Sequence, residues 1–365
     1  MLNRRTLLKS GALAIGGAAA IDLQALAGPV ARTHPPGLLE LDRNENPYGP
    51  PQSAKRAVGE AMERGNRYLD GHELDAFRDQ IAVREGVKRE SVVLGAGSSE
   101  ILWMAAVEFL GPGDVLLLGD PTFELIGRCA GLRGATVERV PVTAGQADDL
   151  DALTRRLSSR PKLVYLCHPN NPCGTMLATA EVRRFVLAAA RQAPVLVDEA
   201  YLDYPDPELK GSMAELVRGG QNVIVARTFS KIYGLAGMRM GYAIAAPETA
   251  RRLARHRFSV LNSLAVASAS AALRDKNFVD LARKRNEEGR AIITAAFEKA
   301  GIRYAPSVTS FLWFDESRQP DLSARLRAQN ILIPGGRFGG GWNRVTIGTI
   351  DETKRFAEAL LSSRA

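Results

Sequence analysis

Short apolar runs alternate along this chain with longer segments in which apolar residues return every three or four positions. The runs Ser91–Leu94, Val115–Leu118, Lys162–Cys167, Val195–Asp198 and Val223–Ala226 read as short buried strands. Helical periodicity marks Ile101–Phe109 and Ala178–Gln192 between them, and two further helices precede them, one capped by Ser53 and running to about Gly65, the other over Leu74–Val83. Strands alternating with helices predict an α/β protein. Beyond Tyr242 a strand continues to Ala246, and Glu248–Arg257 opens an arginine-rich helical region. Helices over Ala265–Arg274 and Phe278–Ala300, strands over Phe311–Phe314 and Arg344–Ile347, and a last helix over Asp351–Leu361 make an α+β module, with Asp351 as N-cap of that helix. The expected organisation is an arm over residues 28–50, a large domain over 51–250 and a smaller one over 251–365.

Composition changes this picture little. A chain of 365 residues exceeds one small core, and 45% hydrophobic with 24% charged residues is ordinary for a globular protein. The net charge of +8 comes without a dense Lys/Arg block or interleaved aromatics, which argues against nucleic acid. A basic surface suits a phosphorylated or carboxylated small molecule. Cys129, Cys167 and Cys173, and the scattered His34, His72, His168 and His256, follow no metal or disulfide spacing, so no metal is expected. No dinucleotide fingerprint or Walker loop is present.

Residues 1–27 stand apart. Arg4-Arg5 precede a small apolar run, Gly11 to Ile21, and then Ala25-Leu26-Ala27, a small-x-small cleavage pattern. The run is too short to span a bilayer, which takes roughly 20 residues. The segment reads as a twin-arginine export signal; an N-terminal amphipathic helix with a chance Arg pair is the other reading.

Candidate chemistry gathers where strands end, the place at which α/β proteins bind ligands. After Leu94, the turn Gly95-Ala96-Gly97-Ser98-Ser99-Glu100 leads into a helix and offers backbone N–H groups and a positive dipole end to an anion. Phe123 follows the strand at Val115. Asn171 sits in the proline-rich loop His168-Pro169-Asn170-Asn171-Pro172-Cys173-Gly174, where its amide can donate a hydrogen bond. Asp198 ends an apolar strand, which is costly unless it meets a cation, and Tyr201 lies three residues on. Last comes Thr228-Phe229-Ser230-Lys231-Ile232-Tyr233-Gly234-Leu235-Ala236-Gly237-Met238-Arg239-Met240-Gly241. A lysine amine there, desolvated and beside the cation Arg239, can form a Schiff base with an aldehyde. The same stretch would also serve as a glycine-rich surface loop.

This wording resembles the lysine site of fold-type I aminotransferases that use pyridoxal 5′-phosphate (PLP), within them most closely the histidinol-phosphate aminotransferase branch. The resemblance covers nearly the whole chain after residue 27. It implies a mostly parallel sheet covered by helices plus a smaller α+β domain. It implies that Lys231 is catalytic, that Gly97, Ser98, Ser99, Ser230 and Arg239 hold the cofactor phosphate, and that Phe123 stacks on its ring. Asn171 and Tyr201 would reach the ring oxygen and Asp198 the ring nitrogen. Tyr68 would reach the phosphate of a neighbouring subunit, making the protein a homodimer. Asn46 and Tyr48, in Asn44-Glu45-Asn46-Pro47-Tyr48-Gly49, would line the substrate entrance, and Arg344, in Arg344-Val345-Thr346-Ile347-Gly348, would pair with the substrate's anionic group. Four places depart from the family pattern, the first being Leu69, which follows Tyr68 where the family often has Pro. His168 and Cys173 replace Asn and Thr, and Pro334-Gly335-Gly336 stands where a second Arg is usual, leaving Arg337 as the nearest candidate. The implied reaction moves an amino group between histidinol phosphate or an amino acid and a 2-oxo acid such as 2-oxoglutarate. A decarboxylase or racemase on the same fold, or an exported binding protein, are the alternatives.

Overall fold

The computed structural model describes residues 37–362 apart from Lys210, Pro320 and Arg337, so the signal segment 1–27, the start of the arm over residues 28–36 and the candidate Arg337 lie outside the described residues. The chain divides into residues 1–38 and residues 39–365, and every element below belongs to the second unit. Eleven strands are named here: β1 (Leu39–Glu40), β2 (Val92–Gly95), β3 (Val115–Asp120), β4 (Thr136–Pro141), β5 (Leu163–Cys167), β6 (Val195–Asp198), β7 (Val223–Thr228), β8 (Gly241–Ile244), β9 (Phe311–Asp315), β10 (Ile331–Leu332) and β11 (Trp342–Thr346).

The central sheet has seven strands in the order β2-β8-β7-β6-β5-β3-β4. Only β8 runs antiparallel to its neighbours, pairing β2 on one side and β7 on the other. β2 therefore points the same way as the rest, and the C-terminal ends of β2, β3, β5, β6 and β7 share one edge. Strands β5, β6 and β7 are buried throughout, as continuous Val/Leu/Ile runs require when helices cover both faces. Apolar clusters lie on the two faces, one around Ile81, Val164, Val197 and Phe229, the other around Ile101, Leu118, Tyr165 and Ile224. At roughly 25 cal/mol per Å² of apolar surface removed from water, these two faces supply most of what drives the sheet and its helices together.

Residues 251–365 are not set apart as a unit, yet they carry their own apolar cluster around Phe297, Phe314, Val345 and Phe356. There β9 and β11 pair antiparallel, with Arg344 opposite Trp313. β1 pairs in parallel with β10, in a stretch the sequence shows only as irregular.

Some local expectations change. The first of the two early helices spans Gln52–Met62 with Pro51 as its N-cap, so Ser53 lies inside it, and the Ser53 hydroxyl donates to Asp275 Oδ2 at 2.6 Å. The last helix spans Ile350–Ser362, and Asp351 lies inside its first turn. Its start is closed by Thr349 and Glu352, each accepting the other's backbone N–H, at 2.8 and 3.3 Å. A hydroxyl-x-x-Glu pair satisfies two orphan donors at once, which a lone carboxylate at Asp351 could not. Strand β4 was not evident because its side chains are mostly exposed or half-exposed at the sheet edge, leaving no apolar run.

Candidate active site

A cavity of about 430 Å³ opens at the C-terminal edge of the central sheet. Its lining includes Ser98 and Ser99 after β2, Phe123 after β3, Asn171 after β5, Asp198 and Tyr201 from β6 onward, Ser230, Lys231 and Arg239 after β7, and Arg344 from β11. Ten of the residues singled out from sequence thus face one space, although they are spread over some 250 positions of chain.

The turn after β2 is built around glycine and a buried carboxylate. Gly97 holds φ +81 at the N-cap of the helix Ser98–Phe109, and a Cβ there would lie 2.6 Å from Arg239 Nη2. A Cβ on Gly241 would lie 2.5 Å from the backbone nitrogen of Ser98. Both positions therefore need glycine for the two loops to meet. Glu100 Oε2 accepts from the backbone N–H of Ala96 at 2.7 Å, and its Oε1 from that of Ser259 at 2.9 Å, which fixes the turn to the segment before the helix Ser263–Arg274. Arg239 Nη1 donates to the Ala236 carbonyl at 2.8 Å and the Ser230 hydroxyl at 3.3 Å. Helix N-terminus, two serines, Ser230 and a guanidinium make a set of donors suited to a phosphate dianion.

Lys231 Nζ donates to the Arg43 carbonyl at 3.1 Å and stands 5.7 Å from the centre of the Tyr201 ring. Burial, then the guanidinium of Arg344 and that of Arg239, push its ammonium down to about 8, against the pull of Glu45 and Asp198. A larger fraction of the amine than in an ordinary lysine is therefore neutral, and nucleophilic, near physiological pH. Asp198 is buried and accepts from the Tyr165 hydroxyl at 3.1 Å and the Ala200 N–H at 3.2 Å. Burial pushes its carboxyl up to about 6 despite those two hydrogen bonds. Among the described residues no cation reaches it within ion-pair distance, so it is a carboxylate suited to a cationic ring nitrogen brought by a ligand.

Opposite, Arg344 Nη1 donates to Asn171 Oδ1 at 2.5 Å and its Nη2 to the Asp42 carbonyl at 2.8 Å. With its oxygen held by Arg344, Asn171 keeps its NH₂ for a ligand. The Tyr201 hydroxyl accepts from Asn44 Nδ2 at 2.9 Å, which leaves the phenolic proton to donate; burial holds that phenol well above its usual range.

Behind the cavity the ends of β6 and β7 are tied by buried charges. Arg227 Nε lies 2.9 Å from Glu199 Oε2, and its guanidinium approaches Glu85 at 3.7 Å and Asp203 at 3.8 Å. The hydroxyls of Tyr242 and Tyr233 donate to Glu85 and Asp203 at 2.6 and 3.3 Å. Asp198 precedes Glu199, and Lys231 follows Arg227 by four residues, so this network sets the relative position of the two. A buried charge group of this kind adds little net stability but is intolerant of losing one member.

Not every candidate meets the cavity. Asn46 Nδ2 donates to the Ile232 carbonyl at 2.7 Å, and the Tyr48 hydroxyl accepts from the Ile350 N–H at 3.1 Å. Neither is among the lining residues; they brace the Lys231 loop and the last helix instead of lining the entrance. Tyr68 is 84% exposed and away from the cavity of its own chain. His168 is buried and pushed down to about 4 by that burial, and Cys173 is wholly buried beside Ala305 and Trp313, so both departures in this loop serve packing. Sequence reasoning passed over Asp42, Arg43, Asn44, Tyr165 and Phe338. The first three lie in the polar segment that runs into Glu45-Asn46, where spacing alone does not tell which side chains turn toward the cavity. Tyr165 lies mid-strand, where nothing separates a partner of Asp198 from core. No group of His, Cys, Asp and Glu among the described residues could hold a metal.

Comparison with known proteins places these parts in a family. The model for aminotransferases of class I and II matches residues 36–360, and the chain belongs to that family. It is 38% identical to the histidinol-phosphate aminotransferase of Moorella thermoacetica over 329 residues, covering 88% of this chain and 84% of the relative. Identity to the histidinol-phosphate aminotransferase of Symbiobacterium thermophilum is also 38%, covering 88% of this chain and 90% of the relative. Among solved structures, the histidinol-phosphate aminotransferase of Sinorhizobium meliloti in complex with pyridoxal 5′-phosphate superposes with a TM-score of 0.83 at 26% identity, over 90% of this chain and 92% of that one.

Proposed function

We propose that this chain is a PLP-dependent aminotransferase that moves an amino group from histidinol phosphate, or an amino acid resembling it, to a 2-oxo acid such as 2-oxoglutarate. The observation that carries this reading is the meeting of Lys231, its ammonium pushed down to about 8, with Asp198, a buried carboxylate with no cation at ion-pair distance among the described residues, in one cavity. The residues present fit PLP. Gly97, Ser98, Ser99, Ser230 and Arg239 suit its phosphate; Phe123 suits the ring face; the Asn171 NH₂ and the Tyr201 hydroxyl suit its ring oxygen; Asp198 suits its protonated nitrogen. When bound, PLP supplies an electron sink for the bonds of the donor's α carbon. Asp198 keeps that sink strong by holding the nitrogen protonated. Nζ of Lys231 takes the α proton of the donor and, in the return half-reaction, delivers a proton to the α carbon of the acceptor. Arg344 binds an anionic group shared by donor and acceptor.

The test is stoichiometric. Holoenzyme given an amino donor and no acceptor should release one carbonyl product per site and stop, and 2-oxoglutarate should restart it. Release of CO₂, or racemised donor without carbonyl product, would move the reading to a decarboxylase or racemase.

Two further properties belong to this reading. The exposed Tyr68 supports a homodimer in which it reaches the partner's phosphate, and sedimentation of a fully active monomer would contradict this. The Arg4-Arg5 pattern supports export by the twin-arginine route. Changing both arginines to lysine should then retain the uncleaved protein in the cytoplasm, and unchanged export would remove the proposal.

A further inference from the structure

Phe338 lines the cavity, and the chemistry above makes no use of it. It belongs to a loop whose glycines 335, 336, 339, 340 and 341 all hold positive φ. Such a backbone offers few side chains, yet it sets this large apolar one, half-buried, on the cavity wall. The Phe338 ring meets Trp313 edge-on, with centroids 5.0 Å apart at 86°. Arg344 Cζ stands 5.2 Å from the centre of the Phe338 ring and 5.3 Å from that of Phe311, so the guanidinium is held between two aromatic rings. Trp313 stacks in turn on Trp342, centroids 5.7 Å apart at 16°, and its indole N–H donates to Gln146 Oε1 at 2.9 Å. The aromatic wall is thus anchored on β9 and β11 and fixed at its far end by a hydrogen bond, with Phe338 as the member that faces the cavity.

We propose that Phe338 is a specificity-determining residue for the amino donor, giving a flat side chain such as imidazole or phenyl a ring to pack against beside Arg344. The proposal rests on the aminotransferase reading. With its anionic group on Arg344, a donor must lay its neighbouring atoms near the Phe338 ring. A planar ring gains stacked or edge-on contact there that an aliphatic chain of similar size does not.

The experiment compares the holoenzyme with its Phe338→Ala and Phe338→Tyr variants on histidinol phosphate, L-phenylalanine and L-norleucine. Phe338→Ala should lower kcat/KM roughly tenfold for the two ring-bearing donors and less than about twofold for L-norleucine, while Phe338→Tyr should keep the preference. Calorimetric Kd values for the unreactive 3-phenylpropionate and hexanoate supply a second readout. The first should weaken in Phe338→Ala and the second should not. Equal losses for ring-bearing and aliphatic ligands, or no loss for either, would overturn the role of Phe338. Failure of wild-type enzyme to turn over any donor would count instead against the aminotransferase reading, and the Kd comparison would still decide Phe338.

Discussion

Lys231→Ala is expected to reduce amino transfer by about 10⁴-fold, or ~5 kcal/mol of transition-state stabilisation, because one amine both receives the cofactor and moves the α proton. The geometry explains why no neighbour can replace it. The other cationic side chains on the cavity wall, Arg43, Arg128, Arg239 and Arg344, are guanidiniums, and none carries a primary amine that could take the place of Nζ. The same lysine leaves a second, independent mark. Its ammonium titrates at about 8 in the folded protein against 10.5 ordinarily, so between those values the unfolded chain binds more protons than the folded one. Stability of the cofactor-free protein should therefore rise as pH climbs from about 8 toward 10.5, and Lys231→Ala should flatten that rise. Urea midpoints measured across this window check the sign; a fall in wild type, or an unchanged slope in the variant, would contradict the desolvated position of the amine.

Arg344→Ala should damage both half-reactions. Losing a buried charge-assisted contact costs roughly 2 to 5 kcal/mol, or about 30- to several-thousand-fold in kcat/KM. The arginine is only 5% exposed, and besides facing the substrate it holds the Asn171 amide and the Asp42 carbonyl. The loss should appear with donor and with oxo acid alike, since one guanidinium serves both. Arg344→Lys should fall between wild type and alanine, because an ammonium keeps the charge but not the planar fork that reaches both. Single-turnover rates for each half-reaction decide the matter, and a loss confined to the donor side would remove Arg344 as the shared anion site.

Much of this arrangement was legible in the sequence because its causes are local. A buried parallel strand must be apolar, so its end shows as a change in composition, and Gly97, Asp198 and Lys231 stand at such changes. Gly97 is explained by its positive φ and its approach to Arg239, and both follow from a turn that enters a helix directly. What could not be read depends on residues far apart in the chain. The pairing of β1 with β10 joins Leu39 to Ile331 through two-residue strands that carry no periodicity. Asn44 matters because it meets Tyr201 and Thr346, contacts set by the fold and not by spacing. Asn46 and Tyr48 showed the converse: the motif was recognisable, but their side chains are spent on the Ile232 carbonyl and the Ile350 amide. Phe338 was hidden in a glycine-rich loop, where nothing local indicates which way a ring turns.

The central claim is that the amine of Lys231 receives the aldehyde of PLP. Its most direct test is borohydride reduction of the protein with PLP, followed by peptide mapping. The account predicts one stable adduct, carried by Lys231 and absent from Lys231→Ala. An adduct on a different lysine, or none in wild-type protein saturated with PLP, would contradict it.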